Sequence, residues 1–380
     1  MKWCIVGGGI QAITIALKLR ILGLEHENLT IIDPNNQLCS QFSRFTERIS
    51  MPYLRSPIVH HVHPNPFHLK QYCKKNEYSG GMYGQYKRPQ RNMFMDHIDD
   101  LIREYRLDEC HVCDVAIDIH RMGKMWEVVL ENRQNLEVDN VIIASGCNHK
   151  PYIPEIFTQH EDIQHIFDDG TIEYDKTSHI VGSGISAIHL AIKLLTENED
   201  KHIHLWTKKP LEVHDFDADP GWLGPKYMKG FLNMESSIEK MNMLLNERHK
   251  GSMPQELYLR IKKYIFSGRL TIHENACAKI ENHSIITHDG DVYDYDHILL
   301  ATGFENTLLK QPLIQSLINK YDAPLTECGY PEISYNLEWL EGLYVAGGLA
   351  DLQLGAFARN VMGGREAANR ISEKYARISS

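Results

Sequence analysis

Two turns of the form G-x-G-x-x-A, each set between an apolar strand and a helical pattern, constrain this chain more tightly than any other feature. The first is Gly7-Gly8-Gly9-Ile10-Gln11-Ala12, after Trp3-Cys4-Ile5-Val6. The second is Gly182-Ser183-Gly184-Ile185-Ser186-Ala187, after His179-Ile180-Val181. In such a turn the first glycine permits the sharp change of direction and the second lets backbone approach a pyrophosphate. The small third residue lets the helix lie close on the strand. Apolar residues then recur at helical spacing, at Ile13, Ala16, Leu17 and Leu19 and again at Ile188, Ala191, Ile192 and Leu195. Gly23 is placed to end the first helix. A helix start offers unpaired N–H groups and a positive dipole end to phosphate. Gly7, Gly9, Ile10 and Gln11 are therefore assigned to one dinucleotide, and Gly182, Gly184, Ile185 and Ser186 to another.

The next strands end in opposite charges. Leu29-Thr30-Ile31-Ile32 ends in Asp33, whose carboxylate can accept hydrogen bonds from a ribose and would repel a 2′-phosphate. Ile203-His204-Leu205-Trp206 ends in Thr207-Lys208-Lys209, where two ammonium groups can pair with an extra phosphate. That contrast predicts FAD in the first crevice and NADP(H), rather than NAD(H), in the second.

Two apolar runs ending in small residues, Val141–Gly146 and Ile298–Phe304, suit buried parallel strands passing beneath a cofactor, and place Ser145, Gly146, Thr302 and Gly303 at its edge. With 380 residues, two domains are expected. The fold class is α/β, with two Rossmann-like dinucleotide-binding domains. A discontinuous FAD-binding domain spans 1–160 and 301–380. An NADPH-binding domain is inserted at 161–300, with a helical insertion over about 215–266 whose helices lie near 232–248 and 255–266. Residues 36–95, with Pro52, Pro57, Pro64, Pro66 and Pro89, read as irregular, and a closing helix is expected over about 356–375.

A net charge of −10 and a pI near 6.1 argue against nucleic acid or an anionic membrane as partner. No apolar stretch reaches a membrane span, and with the first strand starting at Lys2 no signal peptide is expected. A cytoplasmic protein acting on a small molecule is expected, and an oligomer is allowed. The eight cysteines are scattered. Cys110-His111-Val112-Cys113 is the one C-x-x-C, and no C-x4-C follows the first glycine turn, which counts against disulfide-reductase chemistry.

Further candidates come from the loops. Arg55 could fix a flavin or a carboxylate through its planar fork. His60 and His61 could manage a proton. The loop Asp215–Gly224 carries acids, Asp219 among them, that could attract an ammonium group, and Trp222 could exclude water. Gly348, Asp351 and Gly355 form a C-terminal glycine-rich stretch. If the flavin lies there, the start of the last helix would stabilise charge on the reduced ring; otherwise the stretch is a glycine-capped core helix.

Together these features resemble the two-dinucleotide flavoprotein superfamily. Three segments are similar to class B flavin monooxygenases, above all to the lysine/ornithine N-hydroxylase branch: Leu54-Arg55-Ser56-Pro57-Ile58-Val59-His60-His61, the Pro-x-Arg-x-x-Phe within Tyr86–Phe94, and Gln164-His165-Ile166-Phe167. The resemblance covers most of the chain. It implies that NADPH reduces FAD and that a C4a-hydroperoxyflavin oxygenates a nucleophilic nitrogen or sulfur, as in an amine or amino acid. An oxygen-independent FAD/NADPH reductase and a non-catalytic NADP(H)/flavin sensor stay open as readings.

Overall fold

Strands Trp3–Val6, Asn140–Ile143, His297–Leu300 and Leu343–Val345 are buried along their whole length, as parallel strands covered on both faces must be. They belong to two sheets in the computed structural model, which describes residues 1–158 and 160–379. The first sheet runs in the order Glu338–Leu340, Leu343–Val345, Asn140–Ile143, Trp3–Val6, Leu29–Asp33, His111–Cys113, and only its first pair is antiparallel. The second is wholly parallel, in the order Ile163–His165, His297–Leu300, Thr177–Val181, Ile203–Thr207, Leu270–Glu274. Three-stranded antiparallel sheets flank each, one from Ala116–Met122, Met125–Leu130 and Leu136–Val138, the other from Cys277–Glu281, Ser284–Thr287 and Val292–Asp294. No helix among the described residues is long and apolar enough to cross a membrane.

Both glycine turns use one steric device. Gly7 (φ +110°) faces the carbonyl oxygen of Ala144 so closely that a Cβ would lie 2.5 Å from it. Gly182 (φ +141°) faces the carbonyl of Ala301 at the same 2.5 Å. The turn thus lies directly against the end of the neighbouring strand, and helices Ile10–Ile21 and Ile185–Glu197 start there. Gly182→Ala combines left-handed strain with a backbone clash, and is expected to cost about 2–4 kcal/mol. Gly23→Ala, also left-handed (φ +94°) but facing open space, should lose only about 1 kcal/mol in the same urea titration. Equal losses would refute the clash.

Trp3 stacks on Tyr344 with ring centroids 5.6 Å apart and meets Tyr375 edge-on at 6.3 Å, tying the first strand, the last strand and the closing helix into one core. Two passages join the sheets, and they lie side by side. Pro151 and Phe304 form an antiparallel bridge, Tyr152 N–H donates to Gly303 O at 2.9 Å, and Lys150 pairs with Glu305 at 2.8 Å.

Three expectations need correction. The irregular 36–95 segment contains helices Ser40–Arg48 and His68–Lys75. They bury one residue (Thr46) and two residues (Leu69, Cys73), so no apolar stripe betrays them; the first is held by Arg48 N–H donation to the carbonyls of Ile166, Asp168 and Gly170. The helix expected near 232–248 is two, Pro225–Asn233 and Ser237–Glu247, divided where the Ser236 hydroxyl accepts from Glu239 N–H as an N-cap. The closing helix proper is Val361–Ser379, after short helical turns.

Candidate functional site

The first crevice fits a dinucleotide. Where a Cβ would sit on Gly9, at the helix start, nothing lies within 4 Å, so backbone is open to a pyrophosphate. Asp33 is oriented beside the turn, accepting from Gly8 N–H at 2.7 Å and from the backbone and side-chain N–H groups of Asn35. Gln11 points its amide across to the C-terminal segment, donating to Ala358 O and Asn360 O, while its buried Oε1 has no partner. Ser145 donates to Gln311 Oε1, and Gln311 donates to Gly146 O, so the strand end is braced from the helix Pro312–Tyr321. Thr302 is engaged in the inter-sheet passage, donating to Tyr152 O.

The second crevice differs at its turn. Gly184 faces Gly251, whose Cα would lie 3.3 Å from an added Cβ, and Ser183 Oγ donates to Gly251 O at 3.2 Å. Lys209 reaches the same strap, donating to Lys250 O at 3.1 Å, and pairs with Glu212 at 2.8 Å. The strap 249–252 therefore packs against the second turn. Lys208 is exposed and has no ion pair among the described residues, whereas Thr207 is buried with its hydroxyl unpartnered. The strand end thus fits a phosphate.

Several candidate residues have other work. Asp351, expected at the cofactor, is fully buried between two arginines: Arg248 Nη1 and Nη2 at 3.0 and 2.6 Å, Arg359 Nε and Nη2 at 3.0 and 2.7 Å. Arg248 also donates to Ala356 O, so this triad fastens the helical insertion to the first sheet's C-terminal segment. Gly355 (φ +74°) packs against Met228 and Trp222, and an added Cβ on Gly348 would strike Leu308. Trp222 is a core anchor, buried with Phe231, Leu244 and Phe357, and donates to Glu247. The loop acids are all engaged: Asp219 caps its own helical turn by accepting Gly221 N–H at 2.7 Å, Asp217 pairs with Arg55, and Asp215 with Arg88.

His61 does not face a crevice either. Its Nε2 meets Pro66 O at 3.1 Å and its Nδ1 accepts from His63 N–H, within a buried group that includes His68 and His97, where His68 Nδ1 and His97 Nε2 share a 2.8 Å hydrogen bond. Burial pushes His61 down to about 3 and His97 to about 2, and burial beside Arg365 pushes His60 to about 4. These imidazoles are neutral at pH 7. Arg55 is also committed, donating to Asp217, His214 O, Phe216 O and Ser252 Oγ, and so moors the strap's end to residues 52–55.

All eight cysteines are free. Cys39 lies next to the first turn, its N–H donating to Gly8 O, but it is single and burial pushes its thiol up to about 12.

Two mainly parallel sheets, each with a glycine turn at a strand's carboxyl end, define a two-dinucleotide oxidoreductase fold. The chain belongs to the pyridine nucleotide-disulphide oxidoreductase family, whose model matches residues 4–256. Among solved structures it is similar to an ornithine N-hydroxylase from Kutzneria sp. 744 (TM-score 0.77, 14% identity, covering 100% of this chain and 99% of that one). It is also similar to an ornithine hydroxylase from Pseudomonas aeruginosa (0.75, 16%, 100% and 99%). An L-lysine 6-monooxygenase from Pseudomonas syringae matches at 0.70 and 16%, over 99% of each chain. At these identities the likeness is one of fold. No curated protein sequence gives a significant match.

Proposed function

We propose that the chain is an FAD- and NADPH-dependent monooxygenase that oxygenates a nucleophilic nitrogen, or sulfur, of a small molecule such as an amine or amino acid. One observation carries this reading: two glycine turns of the same build stand on one chain, a carboxylate at one strand end and an unpaired ammonium at the other. The fold relatives agree with it, since the Kutzneria protein is described with reduced FAD, NADP+ and L-ornithine.

In this reading residues 1–160 and 301–380 serve FAD, and 161–300 serve NADPH. The Gly7–Gln11 turn and Ser145-Gly146 hold the flavin nucleotide, with Asp33 accepting from its ribose. The Gly182–Ser186 turn holds the second pyrophosphate, and Thr207, Lys208 and Lys209 the 2′-phosphate. FAD held there would supply a hydride acceptor and the reducing equivalents that oxygen insertion needs. The protein's share is orientation and exclusion of water, to which the insertion contributes by packing Trp222 against Gly355.

Anaerobic NADPH should bleach the flavin, and oxygen readmitted with candidate amines should appear in part as hydroxylated product. Hydrogen peroxide alone with every amine would make the chain a reductase, and no bleaching at all would leave a sensor. Lys208→Ala should weaken NADPH about tenfold and NADH less than about twofold, because the ammonium pairs only with the extra phosphate. Lys209→Ala should do less, as Lys209 is already paired with Glu212. Equal losses of both coenzymes in titrations of the FAD-loaded protein would misplace the phosphate pocket.

A further inference from the structure

A cavity of about 380 Å3 lies where residues 52–55, Tyr83 and Arg88 meet the starts of helices Ile185–Glu197 and Gln255–Phe266. Both helices begin at the carboxyl edge of the second sheet, so two positive dipole ends converge on it. Its wall holds three polar groups whose hydrogen-bonding capacity is unmet. Arg260 has no hydrogen bond or ion pair among the described residues. His189, one helical turn after Ile185 and only 5% exposed, has no hydrogen-bond partner. Arg55, though its terminal nitrogens are engaged, leaves its buried Nε–H without an acceptor.

Of these, Arg260 is half-buried and its guanidinium stays free to pair with an incoming group, His189 is nearly enclosed, and Arg55 Nε–H has almost no accessible surface. The wall's own carboxylate does not pair with Arg260: Glu256 is turned to Arg88, accepting at 3.2–3.4 Å. The remaining wall is apolar and aromatic, with Leu54, Ile185 and Leu257 beside Tyr53 and Tyr83, whose rings stack at 5.0 Å.

We propose that this interdomain cavity binds a small monocarboxylate with an aromatic or apolar body, its carboxylate beside Arg260 and His189 and its body against Tyr53 and Tyr83. A carboxylate pairs with the unpaired Arg260 guanidinium more strongly than a neutral oxygen does, and an amine would meet Arg260 as a like charge. His189 supports a neutral contact to the ligand, since burial pushes it down to about 3. At this size the cavity suits a single-ring compound rather than a dinucleotide.

The site is argued from its wall, independently of any oxygen chemistry, so binding is measured on the FAD-loaded protein without NADPH. Phenylacetate is the probe, with phenylacetamide and phenethylamine as uncharged and cationic counterparts. Calorimetry should rank phenylacetate first by at least about tenfold, the discrimination a charge-assisted pair confers. Arg260→Gln should remove that preference while leaving phenylacetamide unchanged; having no partner, Arg260 can be replaced without unfolding the chain. His189→Leu should weaken phenylacetate severalfold with the thermal midpoint preserved. Equal binding of the three probes, an unaltered preference in Arg260→Gln, or competitive displacement of phenylacetate by NADP+ would each overturn the proposal, the last by making the cavity part of the coenzyme site.

Discussion

Thermal stability is expected to be flat between about pH 7 and 8 and to fall steeply between pH 6.5 and about 4. The cause is an unusual store of buried neutral imidazoles. Burial pushes His61 and His189 down to about 3, His97 to about 2, and His60, His165, His179 and His204 to about 4. The sign follows from linkage: below pH 6.5 the unfolded chain binds protons that the folded chain refuses, so acid draws the equilibrium towards unfolding. The loss continues until the folded values are reached, near pH 4 for most. Taking only the most buried residues, each of His61, His97 and His189 would withdraw on the order of 1–3 kcal/mol across that window. His179 and His204 add to it within the second sheet, where they stack at 4.8 Å and would repel once charged. Scanning calorimetry at pH 7.5, 6.5, 5.5 and 4.5 should show the midpoint dropping by about 10 °C or more before pH 5. A flat midpoint to pH 5 would mean these rings are open to water in solution.

The second large effect should come from Asp351. Replacing it with asparagine leaves Arg248, 9% exposed, and Arg359 without their shared counter-charge. Breaking a buried ion pair from one side costs about 3–5 kcal/mol, because the remaining charge stays desolvated. Unfolding should begin where Arg248 fastens Ser237–Glu247 to the C-terminal segment, so proteolysis should open the insertion first. This outcome separates the triad from the sequence expectation of a cofactor ligand. A ligand role predicts weaker FAD binding with the apoprotein's stability kept; the triad predicts that apoprotein stability falls. Thermal unfolding of apoprotein, beside a flavin titration, decides between them.

The steric skeleton of this fold was readable in the residues, whereas the destinations of its charges were not. Gly7 and Gly182 are legible because only glycine survives a positive φ against a carbonyl, and the runs Trp3–Val6 and Val141–Ile143 because buried parallel strands tolerate little else. Asp351, Asp217 and Asp215 looked like free acids in sequence. Their partners Arg248, Arg55 and Arg88 lie 103, 162 and 127 residues away, and no local pattern encodes such pairings. His189 and Arg260 escaped notice for the same reason: each sits unremarkably on a helix, and only the packing of two helix starts against residues 52–55 sets them in one wall. One signal was present and passed over. Ser236-Ser237-Ile238-Glu239 has capping-box spacing, which marks the helix start that divides the insertion.

The paired passages between the sheets have a mechanical consequence. Two strands of chain bonded side by side at Pro151 and Phe304 act as a flat leaf spring, which bends readily about one axis and resists torsion about the other. The junction is therefore stiffer against twisting than a single tether would be. Arg55 and Arg88 add contacts between the two parts of the chain through Asp217 and Asp215.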